Sequence, residues 1–212
     1  MTGRPRRTDV EVLVRPAVLG LLAEVGYGAT TIDAVAARAG VGKPAIYRRW
    51  ADKPTLVADA FEHALAEVNP PPDAPADVGR AVLAALTNVV HLVHDTPFGA
   101  ALAAVVGELH HEPVLRAATD RVEARRRQVL RGLLRQARTE GRLAPGWSID
   151  LAVDALLGTI YFGALVRGTR VSPHEVKVLV GQVVRPAPVR TPSGRRGPST
   201  NGSGRSCTER RS

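Results

Sequence analysis

The chain has 212 residues, 44% of them hydrophobic and 4% aromatic, with one cysteine and a net charge of +9. That is enough apolar material for one sizeable core, or for a small domain joined to a larger one, and the lone Cys207 excludes disulfides and multi-cysteine metal centres. No apolar run reaches the ~20 residues needed to span a bilayer and the N-terminus lacks the apolar stretch of a secretory signal, so a cytoplasmic protein with no membrane partner is expected.

Residues 1–8 form a basic arm carrying Arg4, Arg6 and Arg7. Val14, Val18, Leu21, Leu22 and Val25 recur at helical spacing and predict a first helix from about Val10 to Val25, stopped at Gly26. Pro16 removes one backbone hydrogen bond, which predicts a kink there or a regular helix that begins closer to it. Thr30 is placed to cap a second helix, with Asp33 in the capping-box position and Ile32, Val35, Ala36 and Ala39 on one side. Gly40 supplies a left-handed stop and Val41 returns to the core.

Gly42-Lys43-Pro44 then opens a third helix in which Ile46 and Trp50 face inward. A helix this short cannot hold itself together. Packing must fix it, leaving Lys43, Pro44, Ala45, Tyr47, Arg48 and Arg49 outward. Asp52 caps a fourth helix, with Pro54 in its first turn and a stripe of Leu56, Val57, Ala60, Phe61, Ala64 and Leu65 running to about Val68. Residues 9–68 thus form one unit, and the proline-rich linker 69–76 closes it.

Five further helices are expected at about 77–94, 97–109, 113–139, 148–167 and 173–184. Asp77 suits the cap of the first, Thr96-Pro97 opens the second, Glu112-Pro113 precedes the third and Gly141 ends it. SPHE (172–175) is a capping box with proline at the first helical position. No strand alternation is found, so the fold class is all-α with about nine helices. Residues 186–212 carry six arginines against Glu209 amid Pro, Gly and Ser, a composition that predicts a disordered tail. With both ends this basic, residues 9–185 are nearly neutral.

The second and third helices make a candidate helix-turn-helix. A helix fits the major groove, its N-terminal residues reach base edges, and its dipole with flanking cations favours phosphate. Gly42 and Ala45 let the backbone sit deep, Ala45 can touch a thymine methyl, and Tyr47 offers a hydroxyl to phosphate. Thr31 and Lys53 are placed to clamp the DNA backbone on either side. The expected DNA-contacting set is Thr30, Thr31, Arg38, Gly42, Lys43, Pro44, Ala45, Tyr47, Arg48, Arg49 and Lys53. The alternative is a helical hairpin with a basic solvated face, in a non-catalytic interaction protein that does not bind DNA specifically.

The stretch LLAEVGYGATTIDAVAARAGVGKPAIYRRWADKPTLVADAF (21–61) resembles the N-terminal DNA-binding domain of the TetR family of transcriptional regulators. The resemblance rests on the glycine-tyrosine pair, the TTI start, the AARAGV turn, the IYRRW helix and the following lysine. It implies a homodimer that binds a palindromic operator, usually as a repressor, and releases it when a small molecule enters the larger domain. Residues 77–185 would then be the ligand-binding and dimerisation domain. In that frame the last two helices pair with their mates through Leu156, Leu157, Ile160 and Leu165 on one and Val176, Leu179, Val180 and Val183 on the other, or else these residues belong to an intramolecular core. A ligand pocket would draw its polar groups from His91, His94, Glu108, His110, Asp154, Thr159 and Tyr161.

Catalysis finds no support. GVGKP resembles the end of a P-loop, but Ala37 stands where glycine is required and Pro44 where serine or threonine is. His110-His111-Glu112 lacks metal-ligand spacing, so no metal or cofactor is expected. The basic stretch 123–138 is expected to be the solvated face of a long structural helix with Val122, Val129, Leu133 and Leu134 inside.

Overall fold

The computed structural model describes residues 7–68 and 77–187. Among these the chain forms helices α1 (Arg7–Ala29), α2 (Ile32–Ala39), α3 (Lys43–Tyr47), α4 (Lys53–Val68), α5 (Val78–Asp95), α6 (Pro97–Val106), α7 (Pro113–Thr139), α8 (Ile149–Tyr161) and α9 (Pro173–Val183). A 3₁₀ turn at Gly107–His110 follows α6, and a π-helical segment at Phe162–Arg167 extends α8. The linker 69–76 and the arginine-rich tail beyond 187 lie outside the described residues, as does most of the basic arm.

The helices start and stop for identifiable reasons. α1 breaks at Gly26, whose φ of 79° and ψ of 174° leave the helical region, and one more turn follows to Ala29. Pro16 does not interrupt it. The proline sits on the exposed side, where water can take the carbonyl that it leaves unpaired. The cap of α2 is Thr31, whose Oγ1 accepts from the Ala34 amide at 3.1 Å, and not Thr30. Gly40 (φ 66°) ends α2 in the left-handed conformation, and the Val41 amide returns to the Ala36 carbonyl at 3.1 Å. Ser172 and Glu175 form the expected capping box at α9.

Two apolar clusters make the core. The first joins α1–α4 to α6 and the start of α7, through Val14, Val18, Leu22, Val35, Ile46, Trp50, Leu56, Phe61, Phe98, Val105 and Leu115. The second joins α5, the C-terminal half of α7, α8 and α9. The N-terminal unit therefore has no private core; α6 and α7 complete it. Phe61 of α4 meets Phe98 of α6 edge to face, with ring centres 5.2 Å apart. Arg15 of α1 reaches Asp59 of α4 at 2.8 Å.

α5 and α6 meet at a 78° bend. Thr96 makes the corner, donating to the Leu92 carbonyl at 2.6 Å and accepting from the Phe98 amide at 3.2 Å. Gly99 lets α6 approach, because a Cβ there would fall 1.7 Å from the Val93 carbonyl oxygen. At the far end, buried Arg142 ties α9 to α5: it pairs with Asp77 at 2.8 Å and donates to the Arg185 carbonyl at 2.9 Å.

Three expectations need correction. Leu156, Leu157, Ile160, Val176, Val180 and Val183 are at most 6% exposed within the chain and belong to the second cluster, as the intramolecular-core alternative has it, while Leu165 and Leu179 are half-buried; the wider apolar faces of α8 and α9 serve their own core first. On α7, Val129 is 40% exposed, and Leu130 takes the buried position beside it. Finally, Val10–Ala29 and Ile149–Arg167 are long and apolar enough to cross a bilayer by length and composition, although no unbroken apolar run marks them. Here the first of these builds the α1–α4 core and the second the α7–α9 core.

Gly99→Ala should cost at least about 2 kcal/mol by overpacking, since backbone and not a pliable side chain stands in the way. Urea denaturation of the two proteins checks it.

Candidate nucleic-acid interface and apolar cavity

α3 spans five residues, too few to be stable alone. Ile46 at 0% and Trp50 at 4% exposure hold it from beneath, with the Trp50 amide donating to the Ile46 carbonyl at 3.0 Å. The opposite side presents Gly42, Lys43, Pro44, Tyr47 and Arg48 to solvent, with Ala45 half-buried among them. Tyr47 is 54% exposed, a large exposure for an aromatic side chain. Thr31, at the start of α2, is also exposed.

The cations around this surface differ in their freedom. Lys43 pairs with Asp33 at 2.6 Å, and Arg38 holds Glu24 through both terminal nitrogens at 2.5 and 2.6 Å. That contact draws the Glu24 carboxyl below its ordinary range. Lys53 donates to the Tyr27 carbonyl at 2.9 Å and lies 3.9 Å above the Tyr27 ring, so its ammonium is held at the entry to α4. Exposed pairs such as Lys43–Asp33 contribute ~0–1 kcal/mol and yield readily to a phosphate.

Two of the expected contact residues do not belong to the surface. Thr30 is 1% exposed, and its hydroxyl donates to the Gly26 carbonyl at 2.7 Å, closing the break after α1. The Arg49 side chain is 14% exposed and lies 3.4 Å from Glu11 of α1, with Nη1 donating to the Ala45 carbonyl at 3.3 Å. Its position, three residues after Ile46 and one before Trp50, turns it toward α1. Of the remaining nine, Gly42, Lys43, Pro44, Ala45, Tyr47 and Arg48 lie on α3 or its ends, Thr31 at the start of α2, Arg38 against α1 and Lys53 at the start of α4. The sequence left Asp33 and Glu24 unnoticed as partners of these cations, because contacts across ten and fourteen positions between separate helices carry no spacing signal.

A cavity of about 240 Å³ opens between α4, α6, α7 and α8. Phe61 and Leu65 line it from α4, Phe98, Leu102 and Val106 from α6, Glu123 and Arg126 from α7, and Tyr161 from the end of α8. The Tyr161 hydroxyl donates to Glu123 at 3.3 Å. Burial pushes the Glu123 carboxyl upward, against the pull of Arg126 and Arg127. Of the polar residues expected in a pocket, Tyr161 alone lines this cavity. His91 is exposed and pairs with Asp95 at 3.1 Å; the Asp95 carboxyl is drawn down to about 2 by Arg170 and then by His91. His94 is half-buried on α5, away from the cavity lining. Glu108 and His110 sit in the 3₁₀ turn, half-buried and exposed respectively. Asp154 is exposed and pairs with Arg127. Thr159 is exposed and donates to the Ala155 carbonyl at 2.7 Å. Apolar flanks around these six did not imply a shared cavity: His91, Asp154 and Thr159 lie on the outward side of their helices, Glu108 and His110 lie in a turn, and His94, whose Nε2 is buried, lies elsewhere on α5.

Arg126 was not singled out, yet it is 4% exposed. Its signal was present: Leu115, Ala118, Leu130, Leu134 and Ala137 are the buried residues of α7, and position 126 falls on their helical spacing. Among the described residues, no three His, Cys, Asp or Glu side chains converge as metal ligands would.

The fold and the exposed α3 define a helix-turn-helix protein of the kind that reads duplex DNA. Comparison with known proteins gives the family. Residues 17–60 match the model described as bacterial regulatory proteins, tetR family, and residues 71–183 match the tetracyclin repressor-like C-terminal domain. The chain is 29% identical over 180 residues to the HTH-type transcriptional regulator YdeS of Bacillus subtilis, covering 84% of this chain and 89% of that one. The solved TetR family transcription regulator SCO0332 is 31% identical, with 82% and 95% of the two chains covered and a TM-score of 0.61. The TetR regulator TylP of Streptomyces fradiae shares the fold at 22% identity, 86% and 90% coverage and a TM-score of 0.67. The chain belongs to the TetR family of transcriptional regulators, which bind DNA through this helix-turn-helix.

Trp50→Ala should remove about 3–5 kcal/mol of stability by leaving α3 without its lower support. Guanidinium denaturation measures the loss.

Proposed function

We propose that this regulator is an effector-responsive repressor that binds a palindromic operator as a homodimer. The observation that carries the reading is the α3 surface, where Lys43, Tyr47 and Arg48 project from a short helix anchored by Ile46 and Trp50. In this reading Lys43 and Ala45 face base edges, Arg48 faces the groove, and Thr31 and Tyr47 give their hydroxyls to phosphates. Gly42 and Pro44 let the backbone come close. Lys53 and Arg38 add positive charge on either side of the groove. The protein works in the cytoplasm and as a binder, not a catalyst.

A dimer is needed to place two α3 helices in successive major grooves, ~34 Å apart. The face for it is the outer side of α8 and α9, opposite the core residues corrected above. Leu151, Phe162 and Val166 are 54, 55 and 69% exposed, and Val178 of α9 is 48% exposed. With Ala155 and Gly158 between them, the α8 residues fall at three- and four-residue spacing on one stripe. Apolar side chains exposed in a contiguous row call for a partner, and a two-fold pairing of this stripe with itself buries it.

The cavity is the effector site in this reading. Phe61 and Leu65 lie on the same helix as Lys53, so an occupant pressing on α4 moves the entry to the DNA-binding unit. Phe98 on α6 and the Arg15–Asp59 pair carry the same push to α1. A shift of a few ångströms in the spacing of the two α3 helices ends simultaneous docking.

Footprinting on genomic fragments tests the proposal: it should reveal a symmetric protected site, and protection confined to asymmetric sites would overturn it. Asp33→Ala releases Lys43 and should tighten binding to any duplex about two- to fivefold, in keeping with an exposed pair; gel shifts at fixed salt check this. Val166→Asp should convert the dimer to a monomer in sedimentation experiments and lower operator affinity at least about tenfold.

A further inference from the structure

Two arginines are buried in this protein among the described residues, and they are treated differently. Arg142, 7% exposed, spends its guanidinium on Asp77 at 2.8 Å, on the Arg185 carbonyl at 2.9 Å and on Glu140 at 3.4 Å. Arg126, 4% exposed, has no hydrogen-bond partner among the described residues for Nε or for Nη2. Only its Nη1 has a carboxylate near it, Glu123 at 3.9 Å. Burying unpaired charged donors is costly, and arginine does not escape by losing its proton.

The geometry of the two donors matters. Nε and Nη2 form the side edge of the guanidinium, the parallel pair that takes both oxygens of one oxyanion. Glu123 does not occupy that edge. One of its oxygens accepts from the Tyr161 hydroxyl at 3.3 Å, and the other faces Arg127 at 3.8 Å. Thr119, also on the cavity wall, gives its hydroxyl to the Leu115 carbonyl at 2.9 Å. Arg126, with this edge unpaired, lines a cavity whose other walls, Phe61, Leu65, Phe98 and Leu102, are apolar.

We infer that the effector is a small apolar acid whose oxyanion docks in bidentate fashion on the Nε/Nη2 edge of Arg126, with its hydrocarbon body against Phe61 and Phe98. This rests on the cavity being the effector site, as proposed above. A carboxylate and a phosphate monoester share the required chemistry, and the cavity volume of about 240 Å³, below the usual 300–1,000 Å³ or so of ligand sites, restricts the body to a small one.

The test is calorimetric titration of the full-length protein, without DNA, with phenylbutyrate, phenylbutyl phosphate, phenylbutyramide and phenylbutanol. One of the two anions should bind about tenfold or more tighter than the amide and the alcohol, the gain of a charge-assisted pair, and the better anion names the headgroup. Arg126→Met should erase that preference, so that the two anions bind no more tightly than the amide and the alcohol. Should R126M fail to fold, Arg126→Lys keeps the charge, loses the edge, and should weaken the preference at least about threefold. Equal binding of all four probes, or an anion preference that survives these substitutions, overturns the anion assignment while the cavity remains an effector site. Binding of none of the four overturns the cavity reading as well.

Discussion

A five-residue helix has no stability of its own, and the DNA-reading part of this protein depends on how that deficiency is met. Ile46 and Trp50 sink α3 into the α1–α4 core and fix its outer side chains relative to the rest of the chain. The turn before it is equally determined, with Gly40 left-handed and the Val41 amide bonded back to Ala36. Rigidity here serves recognition, since base-edge hydrogen bonds tolerate little misplacement and a loose helix would lose affinity to conformational entropy.

The same core couples the two halves of the molecule. The cluster that holds α3 runs on through Phe61 into Phe98, Leu102 and Val105 of α6, and the cavity lies on that seam. Helices packed at crystal-like density transmit a displacement instead of absorbing it. In the proposed switch, a ligand between α4 and α6 acts on groups already in contact with the foundation of α3. The 78° corner at Thr96 and Gly99 makes this possible, because it brings α6 back against α1 and α4.

Charge is used in three ways. On α2 and at the start of α3, Arg38 and Lys43 rest in exposed pairs with Glu24 and Asp33 that are worth little to stability. At the base of α9, Arg142 is buried and partnered, and it locks the C-terminal helix to α5. In the cavity, Arg126 is buried with one edge unpartnered. A structural role accounts for the second arrangement and not for the third, since a buried guanidinium with unmet donors detracts from stability. Such a cost points to a binding role.

Amino-acid order alone was sufficient for the local elements. Helical periodicity, the glycines at 26 and 40, the prolines after Thr96, Glu112 and Ser172, and the inward Ile46 and Trp50 each act over a few residues, so they are visible one segment at a time. Even there, neighbouring threonines could not be told apart: Thr31 caps α2 while Thr30 is buried, because the break at Gly26 needs a hydroxyl. What tertiary structure decided was which face of each apolar helix found a neighbour within the chain. Leu156 and Val180 went to the core, Phe162 and Val166 to the surface, and Arg126 to the cavity wall. The physical reason is that a helix apolar around most of its circumference fits either way in isolation; only the packing of the other helices fixes which side is inside.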